Sequence, residues 1–205
     1  NDSGVVYDSK SHGNVNIINM SLGGGGNNQI ICEEIENMKN NGIFVVASAG
    51  NEGNSAIRFP ASCEYSFSVS STKFDERRSS FSSFNNYVDI AAPGGQNSED
   101  LDGNGSGDGV MAYSFKNSSY DGESYKGLQV YNGTSMAAPH VSAYFAILKY
   151  LEPDLSHDQL KQYLRSGNLT KDIGNPGKDD FYGYGLMDMA KGISNIQAGI
   201  SGDML

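Results

Sequence analysis

The sequence predicts an α/β domain with a mainly parallel sheet. An apolar strand over 15–21 is followed by a helical pattern over 29–40 and by a second apolar strand over 43–47. The order strand, helix, strand is typical of a crossover between parallel strands. The uninterrupted apolar run over 43–47 is typical of a strand buried on both faces. A turn at Asn132-Gly133 then leads into a long, mostly apolar helical stretch over 136–150.

Each further element follows from a local pattern. The apolar residues over 29–40 recur at helical spacing, and Asn41-Gly42 ends that helix. Ser156 and Gln159 form the pattern of a capping box at the start of another helix, and we expect His157, inside this box, to face solvent. The remaining predicted elements are strands over 67–71 and 87–91 and helices over 135–152, 156–166 and 186–197.

Size and charge exclude several classes of protein. At 205 residues the chain is long enough for one domain with a sizeable core. Its formal net charge of −10 and its pI of about 4.6 argue against a nucleic-acid partner, which needs a basic surface. No run of about 18 apolar residues exists, so we expect no membrane span. The first residues carry no signal-peptide pattern.

The residues most informative about function lie over 132–142 and read Asn-Gly-Thr-Ser-Met-Ala-Ala-Pro-His-Val-Ser. Ser135 stands where a glycine-containing turn becomes a helix. The free N–H groups and the dipole of a helix N-terminus favour developing negative charge, which suits an activated nucleophile. Serine also caps helices without any catalytic role, so the position alone leaves both interpretations open.

The stretch over 133–141 closely resembles the nucleophile motif of the subtilisin-like serine proteases, the subtilase family. Residues 17–24 resemble the family's substrate-binding strand and residues 45–53 its oxyanion-hole segment, in the family's order. With shorter matches, the resemblance extends from about Asn14 to Gln197. It implies a hydrolase with a subtilisin-like three-layer α/β/α fold and endopeptidase activity through an acyl-enzyme. Residues 1–205 would be the C-terminal portion of the catalytic domain, lacking its first strands.

The resemblance assigns Ser135 as the nucleophile and Asn51 as the side-chain donor to the oxyanion, although Asn51 also suits an ordinary turn. The residues that match the family's substrate-binding positions are Ser21, Leu22, Gly23, Ala47, Ser48, Ala49, Gly50, Glu52 and Arg58. Many subtilases have glycine where this chain has Arg58, and an arginine there favours an acidic substrate side chain. The alternative is a surface arginine paired with Glu52 or Glu64.

The catalytic histidine and aspartate motifs of the family are absent from this chain. His140 matches a non-catalytic core histidine within the serine motif, and His12 shares only a following glycine with the catalytic one. The family's catalytic aspartate stands at the end of an apolar strand, whereas Asp8 does not. We therefore expect a separate N-terminal chain of the same precursor to supply both groups. The chain also begins just upstream of a core strand, which favours internal cleavage or truncation over a pseudoprotease that has lost its base.

Residues 95–127 are rich in Gly, Ser, Asn and Asp, with one apolar island over 110–115, and form an insertion relative to the family. Within the insertion, oxygen-bearing side chains recur at alternate positions, as in an EF-hand calcium loop. The predicted Ca²⁺ ligands are Asp100, Asp102, Asn104, Ser106 through its carbonyl group, and Asp108. Met111 replaces the bidentate glutamate, which excludes a full EF-hand and leaves Glu99 or a water to complete the site. A solvated acidic turn is the alternative, and the resemblance favours calcium because such sites are frequent in subtilases.

Cys32 and Cys63 permit one disulfide. Some secreted subtilases join the two corresponding regions by a disulfide, so the resemblance is compatible with a bridge here. Two buried free thiols are the alternative. The resemblance also implies a secreted or cell-surface protein that acts on a polypeptide substrate.

Overall fold

A computed structural model of the chain describes residues 15–26, 28–117 and 124–199. In chain order, the strands are β1 (Ile17–Met20), β2 (Phe44–Ser48), β3 (Ser66–Thr72), β4 (Val88–Pro93), β5 (Val110–Asn117), β6 (Ser124–Tyr131), β7 (Thr170–Lys171) and β8 (Leu186–Met187). The helices are α1 (Gln29–Asn40), α2 (Thr134–Leu151), α3 (His157–Arg165) and α4 (Met189–Gln197). Over the described ranges, no helix has both the length and the apolar character needed to cross a bilayer.

Six strands form one sheet in the order β1-β2-β3-β4-β8-β7. Strands β1, β2, β3, β4 and β8 run parallel, and β7 runs antiparallel to β8. Strands β2 and β3 are buried over their whole length, because helices cover both faces of such a sheet. The mainly parallel α/β fold predicted from the sequence is therefore confirmed.

Alternate residues of each strand face two different helical layers. Phe44 and Val46 of β2 pack in a core with α2, α3 and α4, whereas Val45 packs with Ile35 of α1 on the opposite face. The sheet thus lies between two layers of helices. Within the described residues β1 is the first strand of the sheet, so one of its edges has no neighbouring strand there.

The structure departs from the sequence prediction in two regions, besides the short strand β7, which was not predicted. The last helix begins at Met189 rather than at 186, because Leu186 and Met187 pair with β4 and β7 instead. Residues 110–117 and 124–131 form an antiparallel hairpin where the sequence indicated only an apolar island. Both departures involve strands whose partners are set by tertiary pairing, which the local pattern of one segment does not reveal.

His157 is buried, so the expectation that it faces solvent is wrong. The predicted capping box is present, but the His157 ring is 5% exposed and contacts the rings of Phe44, Tyr65 and Phe67. Its Nε2 lies 3.1 Å from the carbonyl oxygen of Tyr65. Burial and the nearby charge of Lys161 lower the pKa of His157. The first turn of α3 docks on the sheet, which turns this side chain inward.

Cys32 and Cys63 form a disulfide. The bridge joins α1 to the segment before β3, and both residues pack in the core cluster around Ile35 and Val45. The alternative of two free thiols is therefore excluded. This covalent link holds α1 against the face of the sheet that α2 does not cover.

Candidate active site

The carboxyl end of β1 meets the N-terminus of α2 through two serines. The hydroxyl of Ser21 donates to the carbonyl oxygen of Ser135 at 2.8 Å, and the hydroxyl of Ser135 donates to the carbonyl oxygen of Ser21 at 3.2 Å. Asn19 supports the pair, because its amide donates to the Ser21 hydroxyl at 2.9 Å and accepts from Ser142 of α2 at 3.0 Å. These bonds hold the candidate nucleophile Ser135 against the end of the predicted substrate strand.

Pro139 explains why the Ser135 carbonyl group has a partner outside its helix. In an α-helix the N–H of residue i+4 donates to the carbonyl of residue i. For Ser135 that residue is Pro139, which lies inside α2 and has no N–H. The Ser21 hydroxyl supplies the missing donor. The proline of the serine motif and the serine that follows β1 are therefore linked through one carbonyl group.

Thr134 fixes the orientation of the Asn51 side chain. The backbone N–H and the hydroxyl of Thr134 each donate to Asn51 Oδ1 at 2.9 Å, and the hydroxyl accepts from the N–H of Gly50 at 3.2 Å. Because Oδ1 accepts both bonds, the amino group of Asn51 is left as a donor on the other side of the amide. Thr134 is buried and Asn51 is exposed, so this donor lies at the surface of the site.

A cavity of about 110 Å³ lies beside Ser135. Its lining consists of Leu22, Gly23, Ser48, Gly50, Asn51, Glu52, Arg58, Thr134 and Ser135. Most of the substrate-binding residues expected from the sequence therefore meet here. Ser21, Ala47 and Ala49 do not line the cavity, since Ser21 bonds to Ser135 and the two alanines are buried.

Glu52 and Arg58 form an ion pair at this cavity. Arg58 Nη2 lies 3.1 Å from Glu52 Oε1, and Glu52 Oε2 accepts from the Ser83 hydroxyl at 2.9 Å. Although partial burial opposes ionisation, the Ser83 hydroxyl and the Arg58 guanidinium together hold the pKa of Glu52 below its usual range. The pairing with Glu52 that the sequence left open is thus present, and the same arginine also lines the cavity.

No histidine or carboxylate is hydrogen bonded to the Ser135 hydroxyl in the part of the chain that the structure describes. His140 lies on α2, and its Nδ1 is 2.8 Å from a carbonyl oxygen of that helix. His157 lies at the amino ends of β2 and β3, whereas Ser135 lies near the carboxyl ends. His12 and Asp8 fall outside the described residues.

Comparisons with known proteins identify the family of this chain. The sequence profile of the subtilase family matches residues 3–185. The chain belongs to the subtilase family. Among curated relatives, subtilisin DY of Bacillus licheniformis is 31% identical over 179 residues, which cover 85% of this chain and 56% of that protein. The minor extracellular protease Epr of Bacillus subtilis strain 168 is 30% identical over 174 residues, which cover 84% of this chain and 23% of that protein.

A solved protease structure shares the fold of this chain. A protease from Pseudoalteromonas arctica PAMC 21717 superposes with a TM-score of 0.73 at 32% identity. The superposition covers 88% of this chain and 51% of that one. The chain thus spans 23% of the length of the protease Epr and 56% of the length of subtilisin DY.

Three acidic residues of the segment over 95–127 lie together in one cluster. Three carboxylates, those of Asp100, Asp102 and Asp108, place oxygens within 4.8 Å of one another. Both oxygens of Asp100 accept backbone N–H groups, from Asn104 at 3.1 Å and from Gly105 at 2.9 Å. The Asn104 side-chain oxygen accepts from the N–H of Ser106 at 2.8 Å. The predicted calcium ligands therefore lie in one closed turn, with hard oxygen donors of the kind that Ca²⁺ prefers.

Glu99 does not join this cluster. Lys73 Nζ contacts the two carboxylate oxygens of Glu99 at 2.9 Å and 2.6 Å, and the amide of Gln96 donates to Oε1 at 2.7 Å. Glu99 is therefore held away from the predicted calcium ligands. Of the two groups considered for the last ligand position, a water is the remaining alternative.

Two residues that the sequence analysis did not single out shape the site of this subtilase. Thr134 orients Asn51, and Ser83 binds the carboxylate of Glu52. The available signal for Thr134 was a hydroxyl residue next to the candidate nucleophile. Ser83 comes from the loop between β3 and β4, and no local pattern connects it to Glu52.

Proposed function

We propose that this chain supplies the nucleophile, the oxyanion hole and the substrate strand of a subtilisin-like serine endopeptidase. The observation that carries the proposal is the meeting of three groups at one cavity. These are the Ser135 hydroxyl at the N-terminus of α2, the oriented amide of Asn51, and the strand end that continues into Leu22 and Gly23. Acyl transfer needs a nucleophile and oxyanion donors placed in this way before the substrate arrives.

In the proposed reaction, the Ser135 hydroxyl attacks the scissile carbonyl carbon while a histidine accepts its proton. The carbonyl oxygen becomes an oxyanion that accepts hydrogen bonds from Asn51 Nδ2 and from the backbone N–H of Ser135. The tetrahedral intermediate collapses as the C–N bond breaks and the histidine protonates the leaving amine. Water then attacks the acyl ester by the same steps, which releases the new carboxylic acid and restores the Ser135 hydroxyl.

An N-terminal chain of the same precursor would supply the histidine and the aspartate that orients it. Among the described residues, one edge of β1 has no neighbouring strand, and this supports that part of the proposal because an unpaired edge of a parallel sheet is a template for a further strand. The apolar residues Ile17, Ile18 and Met20 are only half-buried, whereas those of β2 are buried throughout. A strand and helix packed against this edge would bury them and bring new side chains toward Ser135.

The proposed substrate is an extended polypeptide. Its backbone would pair with residues 21–23 by β-augmentation, which binds extended chains without reading much sequence. The side chain before the scissile bond would enter the cavity between Gly23 and Gly50, where Arg58 favours an acidic group. Secretion or display at the cell surface is the proposed location, in keeping with the extracellular relative named above.

A structural Ca²⁺ in the insertion is also part of the proposal. Asp100, Asp102, Asn104, Asp108 and the Ser106 carbonyl would bind it. The ion would neutralise three carboxylates that otherwise repel one another, and would stabilise the turn that precedes β5.

A binding protein without catalytic activity is the second candidate. It is favoured by one observation, the lack of a histidine next to Ser135 among the described residues. Such a pseudoprotease would keep the cavity and the substrate strand and would bind peptides without cleaving them.

A serine-directed fluorophosphonate tests the proposal on the purified full protein. We expect covalent label on Ser135, located by peptide mass spectrometry, and none in Ser135→Ala. Ser194→Ala, an exposed serine on α4, is the matched control and should be labelled as the wild type is. Intact mass and N-terminal sequencing of the same material identify any second chain. Labelling that persists in Ser135→Ala excludes this nucleophile, and peptide binding without labelling or hydrolysis supports the pseudoprotease.

A further inference from the structure

We propose that Glu52 competes with the substrate for Arg58, so that their ion pair limits the preference of this cavity for an acidic side chain. The inference rests on the proposed protease function and names its substrate class, peptides with Glu or Asp before the scissile bond. Before substrate binds, the Glu52 carboxylate is paired with the Arg58 guanidinium. An incoming carboxylate displaces Glu52 toward solvent and takes its place.

The position of Arg58 supports the first part of this inference. A Cβ added to Gly50 would lie 3.2 Å from Arg58 Cγ, and one added to Gly23 would lie 3.8 Å from Arg58 Cβ. The aliphatic stem of Arg58 therefore passes between the two glycine walls of the cavity. It fills space that a glycine at this position leaves open, and its guanidinium lies beside Glu52 and Gly25.

The hydrogen-bonding state of Arg58 supports the second part. A guanidinium has five N–H donors, and its described carboxylate partner is Glu52 at 3.1 Å. Arg58 Nε is buried and has no hydrogen-bond acceptor among the described residues. Glu52 offers mainly one oxygen, because Oε2 accepts from Ser83. A substrate carboxylate with both oxygens free can bind the guanidinium bidentately and is the stronger partner.

The exposure of the pair makes the exchange feasible. The side chains of Arg58 and Glu52 are 26% and 38% exposed, and ion pairs this accessible to solvent contribute little net free energy. The Ser83 hydroxyl contacts both the carboxylate and the backbone N–H of Glu52. Glu52 therefore keeps a partner when it leaves Arg58, and neither charge is left buried and unpaired.

Kinetics on the full protein, with its Asp and His in place, test the exchange. The readout is the ratio of kcat/KM for two peptides that differ only by Glu or Gln before the scissile bond. This ratio does not depend on the fraction of folded enzyme, because both peptides are cleaved by the same preparation. We expect Glu52→Gln to raise the Glu/Gln ratio by about tenfold or more, since a charge-assisted contact no longer has a competitor.

Arg58→Gln and Glu64→Gln complete the experiment. Arg58→Gln should abolish the preference for Glu, and Glu52→Gln should then have no further effect in that background. Glu64→Gln removes the same charge from an exposed position outside the cavity and should leave the ratio at the wild-type value. A ratio unchanged by Glu52→Gln, or raised equally by Glu64→Gln, overturns the inference while cleavage of a Leu peptide still supports the protease. If the wild-type protein cleaves no peptide, including the Leu peptide, the proposed function and this inference are rejected together.

Discussion

Thr134 donates two hydrogen bonds of 2.9 Å to Asn51 Oδ1, although the two residues are 83 positions apart. The bonds leave the Asn51 amino group as the only donor that the side chain can present to an oxyanion. Orientation achieved during folding need not be achieved again in the transition state, which is the basis of oxyanion stabilisation. The residue before the nucleophile is therefore a positioning residue in the proposed mechanism.

Thr134→Val should lower kcat with little change in KM, because the bond to Asn51 acts through a contact made in the transition state. We expect about a tenfold decrease, the effect of one hydrogen bond. Asn51→Ala should be more damaging, and loss of the corresponding donor in subtilisin lowers kcat about 10²–10³-fold. Thr134→Ser keeps the hydroxyl and should retain most of the activity. Equal kcat in Thr134→Val and the wild type would contradict the positioning role.

Ser21→Ala should destabilise the chain by leaving the Ser135 carbonyl group without a donor. The expected loss in free energy of unfolding is about 1–3 kcal/mol, measured by urea denaturation. Pro139→Ala restores a backbone N–H that can donate to the same carbonyl group. In the Pro139→Ala background, Ser21→Ala should therefore cost less than it does alone. Additive effects in this double-mutant cycle would show that the two residues do not share the carbonyl group.

His157 should make stability fall on acidification. Burial and the charge of Lys161 lower its pKa in the folded state, so the unfolded chain binds the proton more tightly. The stabilisation is present above the unfolded pKa of about 6.5 and is lost as pH falls from there toward the folded pKa. One such group changes the free energy of unfolding by at most about 1.4 kcal/mol per pH unit. His157→Gln should flatten the slope between pH 6.5 and 5, and the same slope in wild type and variant would exclude this role. His140→Gln is the control, made in a histidine that lies half-buried on α2.

Removal of calcium should lower the melting temperature. At a Ca²⁺ concentration about 100-fold above Kd, binding to the folded state adds about 2.7 kcal/mol, which is about 5–10 °C for a domain of this size. We expect EGTA to reverse this shift in the wild type and to have no effect in an Asp100→Asn, Asp102→Asn double variant. Asp154→Asn, which alters an exposed carboxylate outside the insertion, should keep the calcium response. A wild-type melting temperature that calcium and EGTA leave unchanged would remove the ion from the proposal.

Local patterns predicted the fold to different depths in different segments. The helix α1 begins and ends where the sequence indicates, over 29–40, because its apolar spacing and its Asn-Gly stop are both local. The capping box at Ser156 is likewise present. The hairpin over 110–117 and 124–131 and the short pairing of β8 escaped prediction, since a strand is defined by its partner.

The candidate site also combines features that local sequence predicts with contacts that only the fold creates. The sequence assigned Ser135 and Asn51 their proposed roles through motifs, because each motif is a continuous run of residues with its own turn chemistry. It did not identify the contact of Thr134 with Asn51 or that of Ser83 with Glu52, which join segments distant in the chain. It also misplaced His157, since a helix position tells which face a residue lies on but not what packs against that face.

The sequence by itself determined the family and the mainly parallel α/β class, and its motifs assigned Ser135, Asn51 and residues 21–23 to their proposed roles. These are properties of short continuous stretches, in which spacing and turn residues act over a few positions. Only the tertiary structure decided which alternative holds for the cysteines and that Arg58 both pairs with Glu52 and lines the cavity. It also decided that the Ser21 hydroxyl replaces the donor that Pro139 lacks. Those outcomes depend on distances between atoms from separate elements, and only the packing of α1 and α2 on opposite faces of one sheet sets them.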